Sequence, residues 1–184
     1  MVKDEVFEKV YGKDAELAKQ RFAHLTEGFN GEYGSGEELS YFTAPGRTEI
    51  IGNHTDHNGG KVIAASIDLD TIGAASPSGD EKIEILSEGY KKVVIDLNAL
   101  DKVPKECGTL SLVAGMAEAA KKMGYQVHGF KAYVTTTVIA AAGVSSSASF
   151  EMLFCAIVNH FFNDDKIPVT DYAKIGQYSE NHFW

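Results

Sequence analysis

Residues 140–149 combine small side chains with hydroxyl groups, in the order Ala-Ala-Ala-Gly-Val-Ser-Ser-Ser-Ala-Ser. Small side chains let a ligand approach the backbone, and the start of a following helix offers unpaired N–H groups at its positive end. These properties suit a phosphate, with the serine hydroxyls as further donors or as an oxygen ligand for Mg²⁺. An ordinary serine cap with close helix–sheet packing has the same composition, so both interpretations remain open. The sequence contains no G-x-x-x-x-G-K-[ST] or G-x-G-x-x-G pattern, which argues against a Walker-type or dinucleotide site.

A second polar segment, residues 46–58, lies between two apolar stretches and has the order Gly-Arg-Thr-Glu-Ile-Ile-Gly-Asn-His-Thr-Asp-His-Asn. Sugar hydroxyls both donate and accept hydrogen bonds, and a mixture of carboxylate, imidazole and amide groups satisfies them. His54, Asp56 and His57 are also candidate metal ligands, although alternate residues of an extended strand point to opposite faces. A solvated turn would have a similar composition. The residues by themselves therefore leave a sugar site, a metal site and a turn as alternatives.

The elements that must position these segments follow from the apolar spacing. Strand-like composition predicts strands over 40–52, 62–76, 82–87, 93–96 and 127–139. Helical spacing of apolar residues predicts four helices. The first is capped by Asp14, ends before Gly31 and has the stripe Ala15, Ala18, Phe22, Leu25 and Phe29. The second and third have the stripes Leu110, Val113, Ala117, Ala120 and Phe150, Leu153, Phe154, Ile157, Phe161, and the fourth runs from a cap at Thr170 toward Tyr178. The first four strands have connections too short for helical crossovers, so we expect consecutive antiparallel pairing. The fold class is α+β, a two-layer mixed or antiparallel sheet with helices, forming a single domain over 1–184.

Composition excludes several classes of protein. The chain has 184 residues, 44% of them hydrophobic, and a formal net charge of −9. That charge argues against a nucleic-acid binder, and no apolar run approaches the roughly 18 residues of a membrane span. The N-terminal sequence lacks the pattern of a signal peptide, so we expect a cytoplasmic protein with a small-molecule ligand. For Cys107 and Cys155 we expect buried thiols rather than a disulfide.

Taken together, the two polar segments resemble the signatures of one enzyme family. Galactokinases have Ala-Pro followed by Gly-Arg-x-Asn-x-Ile-Gly-Glu-His-x-Asp-Tyr; here the segment 44–47 together with Ile51, Gly52, His54 and Asp56 matches that signature. Residues 143–149 resemble the phosphate-binding motif of the galactokinase, homoserine kinase, mevalonate kinase and phosphomevalonate kinase superfamily. The resemblance runs from about Phe22 to the last residue. It implies the N-terminal lobe of a galactokinase-type sugar kinase, which transfers a phosphoryl group from ATP to the C1 hydroxyl of galactose.

The resemblance also implies roles for individual residues. Arg47 would stabilise charge on the transferring phosphoryl group. Asn53, His54 and Asp56 would bind the sugar. The phosphates of ATP would be bound by Gly143, Val144, Ser145, Ser146, Ser147, Ala148 and Ser149. Ser147 and Glu180 would hold Mg²⁺.

Departures from the family pattern affect both segments. Asn53 replaces the sugar-binding glutamate, His57 replaces a tyrosine, and Ile139 and Ala141 replace a proline or leucine and a glycine. These changes favour two alternatives, a kinase for another sugar and a non-catalytic sugar or nucleotide sensor. The family's catalytic aspartate, in a Gly-x-x-Asp-Gln segment, is expected beyond Trp184, as is the C-terminal lobe. We therefore expect residues 1–184 to fold without catalysing, and to self-associate through an exposed inter-lobe face.

Overall fold

The computed structural model describes residues 2–52, 59–139 and 143–183. Its helices are α1 (Asp4–Tyr11), α2 (Ala15–Tyr33), α3 (Thr109–Lys122), α4 (Ser146–Phe162) and α5 (Val169–His182). Its strands are β1 (Ser40–Ile51), β2 (Ile63–Pro77), β3 (Lys82–Ser87), β4 (Val93–Asp96) and β5 (Phe130–Thr136). The α+β class predicted from the sequence is confirmed. No helix within the described ranges is both long and apolar enough to cross a membrane.

The five strands form one mixed sheet in the order β1-β2-β5-β3-β4. β1 and β2 are antiparallel, as are β3 and β4, in agreement with the expected hairpins. The expected pairing of β2 with β3 is wrong, because β5 lies between them, antiparallel to β2 and parallel to β3. The short turn 78–81 therefore crosses about 10 Å, two strand spacings. The turn crosses over Gly129. The Gly129 amide donates to the carbonyl oxygen of Asp80, and a Cβ at this position would overlap that oxygen.

Helices cover both faces of the sheet, so the fold has three layers rather than the two expected. The predicted stripe of α2 is buried along its whole length and packs with Phe7 of α1 against Ile72 and Ala74 of β2. The opposite face holds the larger core, formed by α3, α4 and α5 against Phe130, Ala132 and other alternate residues of the central strands. Because side chains of a strand alternate between faces, β2 and β5 contribute to both sides of the sheet.

Element boundaries differ from the sequence-based ones at several ends. α2 continues through Gly31 to Tyr33 and ends at Gly34, whose φ of 90° favours glycine. α1 was not predicted, because Phe7 is its one buried residue and leaves little apolar periodicity. Neither Asp14 nor a residue before α5 makes a side-chain capping bond, and α5 begins at Val169 rather than after a cap at Thr170.

The two cysteines have different environments. Both are free thiols, but only Cys155 is buried, whereas Cys107 is exposed. The expectation of two buried thiols is thus wrong for Cys107, which lies in the loop before α3. Burial raises the pKa of the Cys155 thiol, and the nearby Glu151 carboxylate adds to the effect. Cys155 is therefore an apolar core residue of α4.

A buried ion pair connects the helical layer formed by α1 and α2 to the sheet. Arg21 of α2 places Nη2 2.6 Å from Oδ1 of Asp70 on β2. The other carboxylate oxygen of Asp70 accepts hydrogen bonds from the hydroxyls of Tyr11 (2.7 Å) and Thr43 (2.8 Å). Burial, with the Asp70 carboxylate adding to it, raises the pKa of Tyr11 to about 12. Asp70 thus connects α1, α2 and β1. It directly precedes Thr71 in the sequence.

Candidate functional site

The serine-rich segment forms a tight turn into α4 without an ordinary cap. Ser145 stands at the N-cap position in the left-handed conformation (φ 61°, ψ 52°), and Gly143 has φ 73°. The Ser145 side chain makes no capping hydrogen bond. Four N–H groups at the start of a helix have no intrahelical acceptor, and here the cap side chain does not satisfy them. Ser145 therefore does not act as a plain serine cap, and the start of a helix without such a cap suits an anion.

Ser146 and Ser147 line a cavity of about 390 Å³ between α4 and the sheet. Val93, Leu112 and Phe150 give it apolar walls. Lys91 and Tyr90, from the turn between β3 and β4, also line it, together with Glu88, Thr135, Thr136 and Val138. A mostly apolar cavity beside helix N–H groups can hold a flat ring attached to phosphates. Tyr90 and Lys91 were not among the residues selected from the sequence, since only the parallel pairing of β3 with β5 brings that turn to the serine segment.

A carboxylate from α5 meets the first turn of α4. The hydroxyl of Ser147 donates to Oε1 of Glu180 at 3.3 Å, so residues 33 positions apart along the chain lie together. Glu151, one turn further along α4, is a second carboxylate beside Glu180; it is buried, and its Oε1 has no hydrogen-bond partner within the described residues. A Cβ at Gly176 would overlap the Glu151 carboxylate, so α5 passes close to it.

These oxygen atoms match what Mg²⁺ requires. Mg²⁺ prefers a few protein oxygens combined with water and substrate phosphates. The described residues contain no group of three or more histidine, cysteine or acidic side chains arranged for a metal. A metal here would thus depend on Ser147, Glu180 and oxygens of the ligand.

Burial, and next the Glu180 charge, raises the pKa of Glu151 to about 7. In the sequence, Glu151 could have been recognised as a candidate functional residue because it is a carboxylate on the apolar stripe of α4.

The backbone of Arg47 contacts the serine segment directly. β1 has a register shift between Pro45 and Arg47, and the Arg47 amide donates to the carbonyl of Val144 at 3.2 Å. A Cβ at Gly46 would lie 3.0 Å from that same carbonyl oxygen, so glycine permits the close approach. The Arg47 guanidinium is half-exposed and forms an ion pair with Glu49 at 2.9 Å. Glu49 was not among the residues selected from the sequence.

Because Glu49 neutralises Arg47, we expect Glu49→Gln to increase the affinity of the chain for an anion. An exposed ion pair contributes about 0–1 kcal/mol, so the dissociation constant for pyrophosphate should fall about two- to fivefold. Isothermal titration calorimetry at fixed ionic strength measures it. Glu38→Gln, which makes the same change of charge at an exposed position, should have no such effect. Equal gains for both variants would mean that net charge, and not Arg47, is responsible.

Ser149 does not point toward a ligand. Its side chain is buried, and its Oγ lies 2.8 Å from the Ala44 carbonyl oxygen and 2.8 Å from Thr71 Oγ1. The expectation that its hydroxyl contacts phosphate is wrong, since both contacts are internal. Gly143, Val144, Ala148 and the three other serines remain at least partly accessible.

The predicted sugar-binding residues Asn53, His54 and Asp56 lie outside the described residues, as do His57 and Ala141. The described residues on either side belong to paired strands, with Ile51 of β1 opposite Ile63 of β2. Both of these side chains are exposed. Arg47 lies on the same β1–β2 hairpin.

Comparison with known proteins matches both segments to kinase families. The galactokinase galactose-binding signature matches residues 27–77, and the N-terminal domain of the GHMP kinases matches residues 111–184. The galactokinase of Lactococcus lactis subsp. lactis is 38% identical over 162 residues, 86% of this chain. The chain is similar to the N-terminal portion of the galactokinases. The galactokinase of Bacillus subtilis is 32% identical over 158 residues, 84% of this chain. The chain spans 40% of the length of each of these two galactokinases.

Solved structures agree with this similarity. A crystal structure of Lactococcus lactis galactokinase complexed with galactose matches with a TM-score of 0.80 and 34% identity, covering 88% of this chain and 42% of that one. The mevalonate kinase of Methanococcus jannaschii matches with a TM-score of 0.65 and 20% identity, covering 78% of this chain and 46% of that one. The second likeness shows the shared fold. The α+β fold is thus shared by this chain, the Lactococcus lactis galactokinase and the mevalonate kinase.

Proposed function

We propose that residues 1–184 form the N-terminal lobe of a galactokinase, a single domain that binds MgATP. In the whole protein, the γ-phosphoryl group of ATP is transferred to the C1 hydroxyl of galactose. The observation that carries the proposal is the convergence of three parts: the uncapped start of α4, the Ser147–Glu180 contact and the backbone of Arg47. Phosphoryl transfer depends on positioning and charge neutralisation, and these parts supply both.

Each part has a distinct role in the proposal. The first-turn N–H groups and hydroxyls of residues 145–147 bind the phosphates, and the cavity beside Phe150 holds the base. Ser147 and Glu180 hold Mg²⁺, which neutralises phosphate charge when bound. Arg47 stabilises charge that develops on the transferring group. Asn53, His54 and Asp56 bind the sugar hydroxyls, and a segment following Trp184 supplies the catalytic aspartate.

The metal part of the proposal can be tested by nucleotide titration. We expect the 184-residue chain to bind MgATP, and Ser147→Ala and Glu180→Gln to weaken that binding about tenfold, because the first removes an oxygen ligand and the second removes the negative charge of the carboxylate ligand. In EDTA, Glu180→Gln should not weaken the binding of ATP, and Ser147→Ala should weaken it by much less than tenfold, since only its hydrogen bond to phosphate is then lost. Ser40→Ala, at the far end of β1, serves as the control. Unchanged MgATP affinity in both site variants would contradict the metal site.

The catalytic part of the proposal concerns the chain by itself. We expect residues 1–184 to show no galactose-dependent release of ADP, because general-base assistance contributes about 10²–10⁴-fold and the second lobe also excludes water. A coupled ADP assay measures it. Turnover near one per second, typical of kinases, would contradict the placement of the base after Trp184.

A kinase for another sugar is the second candidate, because Asn53 and His57 depart from the galactokinase signature. A screen of hexoses, N-acetylhexosamines and pentoses with the whole protein distinguishes it from a galactokinase. Sugar binding without any turnover in that protein would instead support a non-catalytic sensor.

We also propose that the isolated chain self-associates through the end of the β1–β2 hairpin. Ile50, Ile51, Val62 and Ile63 are all about half or more exposed there, and burying them would remove apolar surface from water. Light scattering should show a mass that rises with concentration, and Ile51→Asp with Ile63→Asp should abolish the rise. Val10→Asp, at an exposed position of α1, should not. A monomer at all concentrations would contradict this proposal.

A further inference from the structure

Ser149 connects the phosphate-binding segment to the rest of the lobe through a series of hydroxyl groups, of which those of Ser149 and Thr71 belong to buried residues. Its Oγ contacts the Ala44 carbonyl on β1 and Thr71 Oγ1 on β2. Thr71 Oγ1 is in turn 2.8 Å from Thr136 Oγ1, on the opposite position of β5. The Val138 amide, on the segment leading toward the serines, donates to Thr136 Oγ1 at 3.1 Å. Four chain segments therefore meet in one hydrogen-bonded series.

Ser149 is the donor at both of its contacts. Its single proton lies between two acceptors, the Ala44 carbonyl oxygen and Thr71 Oγ1. Thr71 Oγ1 and Thr136 Oγ1 share a second hydrogen bond, and the Val138 amide donates to Thr136 Oγ1. Ser149, Thr71 and Ala44 are buried, so removal of the Ser149 hydroxyl leaves two buried acceptors without that donor.

The same strand is held against the serine segment at a second point. The Arg47 amide donates to Val144, and Gly46 leaves room for that contact. Two bonds, at Ala44 and Arg47, therefore join β1 to the segment at Ser149 and Val144, on either side of residues 145–147. Two contacts on both sides of a short turn define its position relative to the strand, which one contact cannot do.

We propose that Ser149 is a positioning residue that fixes the distance between the Arg47 strand and the start of α4, through the hydrogen-bonded series Thr136–Thr71–Ser149–Ala44. It does so without touching a phosphate. Its effect on nucleotide binding rests on the proposed function, whereas its effect on the Arg47–Val144 contact does not.

Amide hydrogen exchange of the 184-residue chain tests the proposal directly. In Ser149→Ala, the Arg47 amide should exchange about tenfold faster than in the parent, because its contact with Val144 opens more often. The Gly129 amide, which donates to Asp80 at the other end of β5, should be unchanged. Thr71→Val, which leaves Ser149 in place but removes the hydroxyl that links it to β5, should have the same effect as Ser149→Ala. The double variant should add little.

A matched control separates positioning from a general loss of stability. Ser111 of α3 is also fully buried, and its hydroxyl donates to the carbonyl of Pro104 at 3.2 Å. Ser111→Ala should leave the Arg47 amide at the parent's exchange rate. The proposal is overturned if Ser149→Ala leaves that rate unchanged, or if Ser111→Ala or the Gly129 amide shows the same acceleration.

A MgATP titration adds the functional readout. Ser149→Ala should bind MgATP about tenfold more weakly than the parent, although Ser145, Ser146 and Ser147 are intact; unchanged affinity overturns the proposal. If the parent binds no nucleotide, the proposed function fails. The exchange rates then still decide whether Ser149 positions the strand.

Discussion

Replacing Asp70 with alanine is expected to lower the free energy of unfolding by about 3–5 kcal/mol. The change leaves the Arg21 guanidinium without its partner in a mostly buried position. It also removes the acceptor for the hydroxyls of Tyr11 and Thr43. Urea unfolding followed by circular dichroism measures the loss of stability. A variant without any cooperative unfolding transition would show the largest loss, which is failure to fold.

Asp68→Ala is the matched control for Asp70→Ala, because it removes the same charge from the same strand at an exposed position. We expect a change within about 0.5 kcal/mol. Asp70→Asn should be intermediate, since the amide oxygen still accepts from the hydroxyls. A loss below about 1 kcal/mol for Asp70→Ala would show that Arg21 finds water or another partner.

The second large effect concerns Glu151 and depends on pH. Its folded-state pKa of about 7 lies above the ordinary value of 4.5, because burial disfavours the carboxylate and the Glu180 charge opposes it. Between these two values the folded chain binds more protons than the unfolded chain, so stability falls as the pH rises through that window. Glu151→Gln removes this loss. We expect the variant to equal the parent near pH 4.5 and to exceed it by about 3 kcal/mol at pH 8.

Thermal or urea unfolding at pH 4.5, 6 and 8, in EDTA, measures the Glu151 effect. Glu8→Gln, at an exposed position of α1, provides a control for the loss of one carboxylate and should show no trend with pH. A stability difference that is constant across the three pH values would contradict the raised pKa.

Local patterns were sufficient to predict much of the secondary structure. The stripe from Ala15 to Phe29 specified α2 because its spacing matches a helical turn, and all five residues are buried. The hairpins β1–β2 and β3–β4 followed from short connections. The fold brings together Ser147 and Glu180, for which the family motifs imply a shared Mg²⁺, and that metal role stays a prediction.

The remaining features depend on which strands are neighbours, and a sequence does not state that. The turn 78–81 looks like an ordinary hairpin turn. The central position of β5, where Phe130, Ala132 and Val134 are buried, becomes evident only in the folded sheet. The orientation of Ser149 could not be predicted either. In a serine-rich segment every hydroxyl has the same chemistry, and the packing of α4 on β1 and β2 decides which one is buried.

The central position of β5 has a consequence for how the lobe is synthesised. Both hairpins leave the ribosome before residues 130–136, yet neither can pair with the other without that strand. Until then, β2 and β3 each present an open edge to solvent, which is a site for pairing with other chains. Sheet formation must therefore wait for a late segment that inserts between two earlier ones, so the contacts that complete it are distant in sequence and slow to form. Expression yield of this lobe should accordingly respond more to chaperone supply and temperature during synthesis than to the stability of the finished fold.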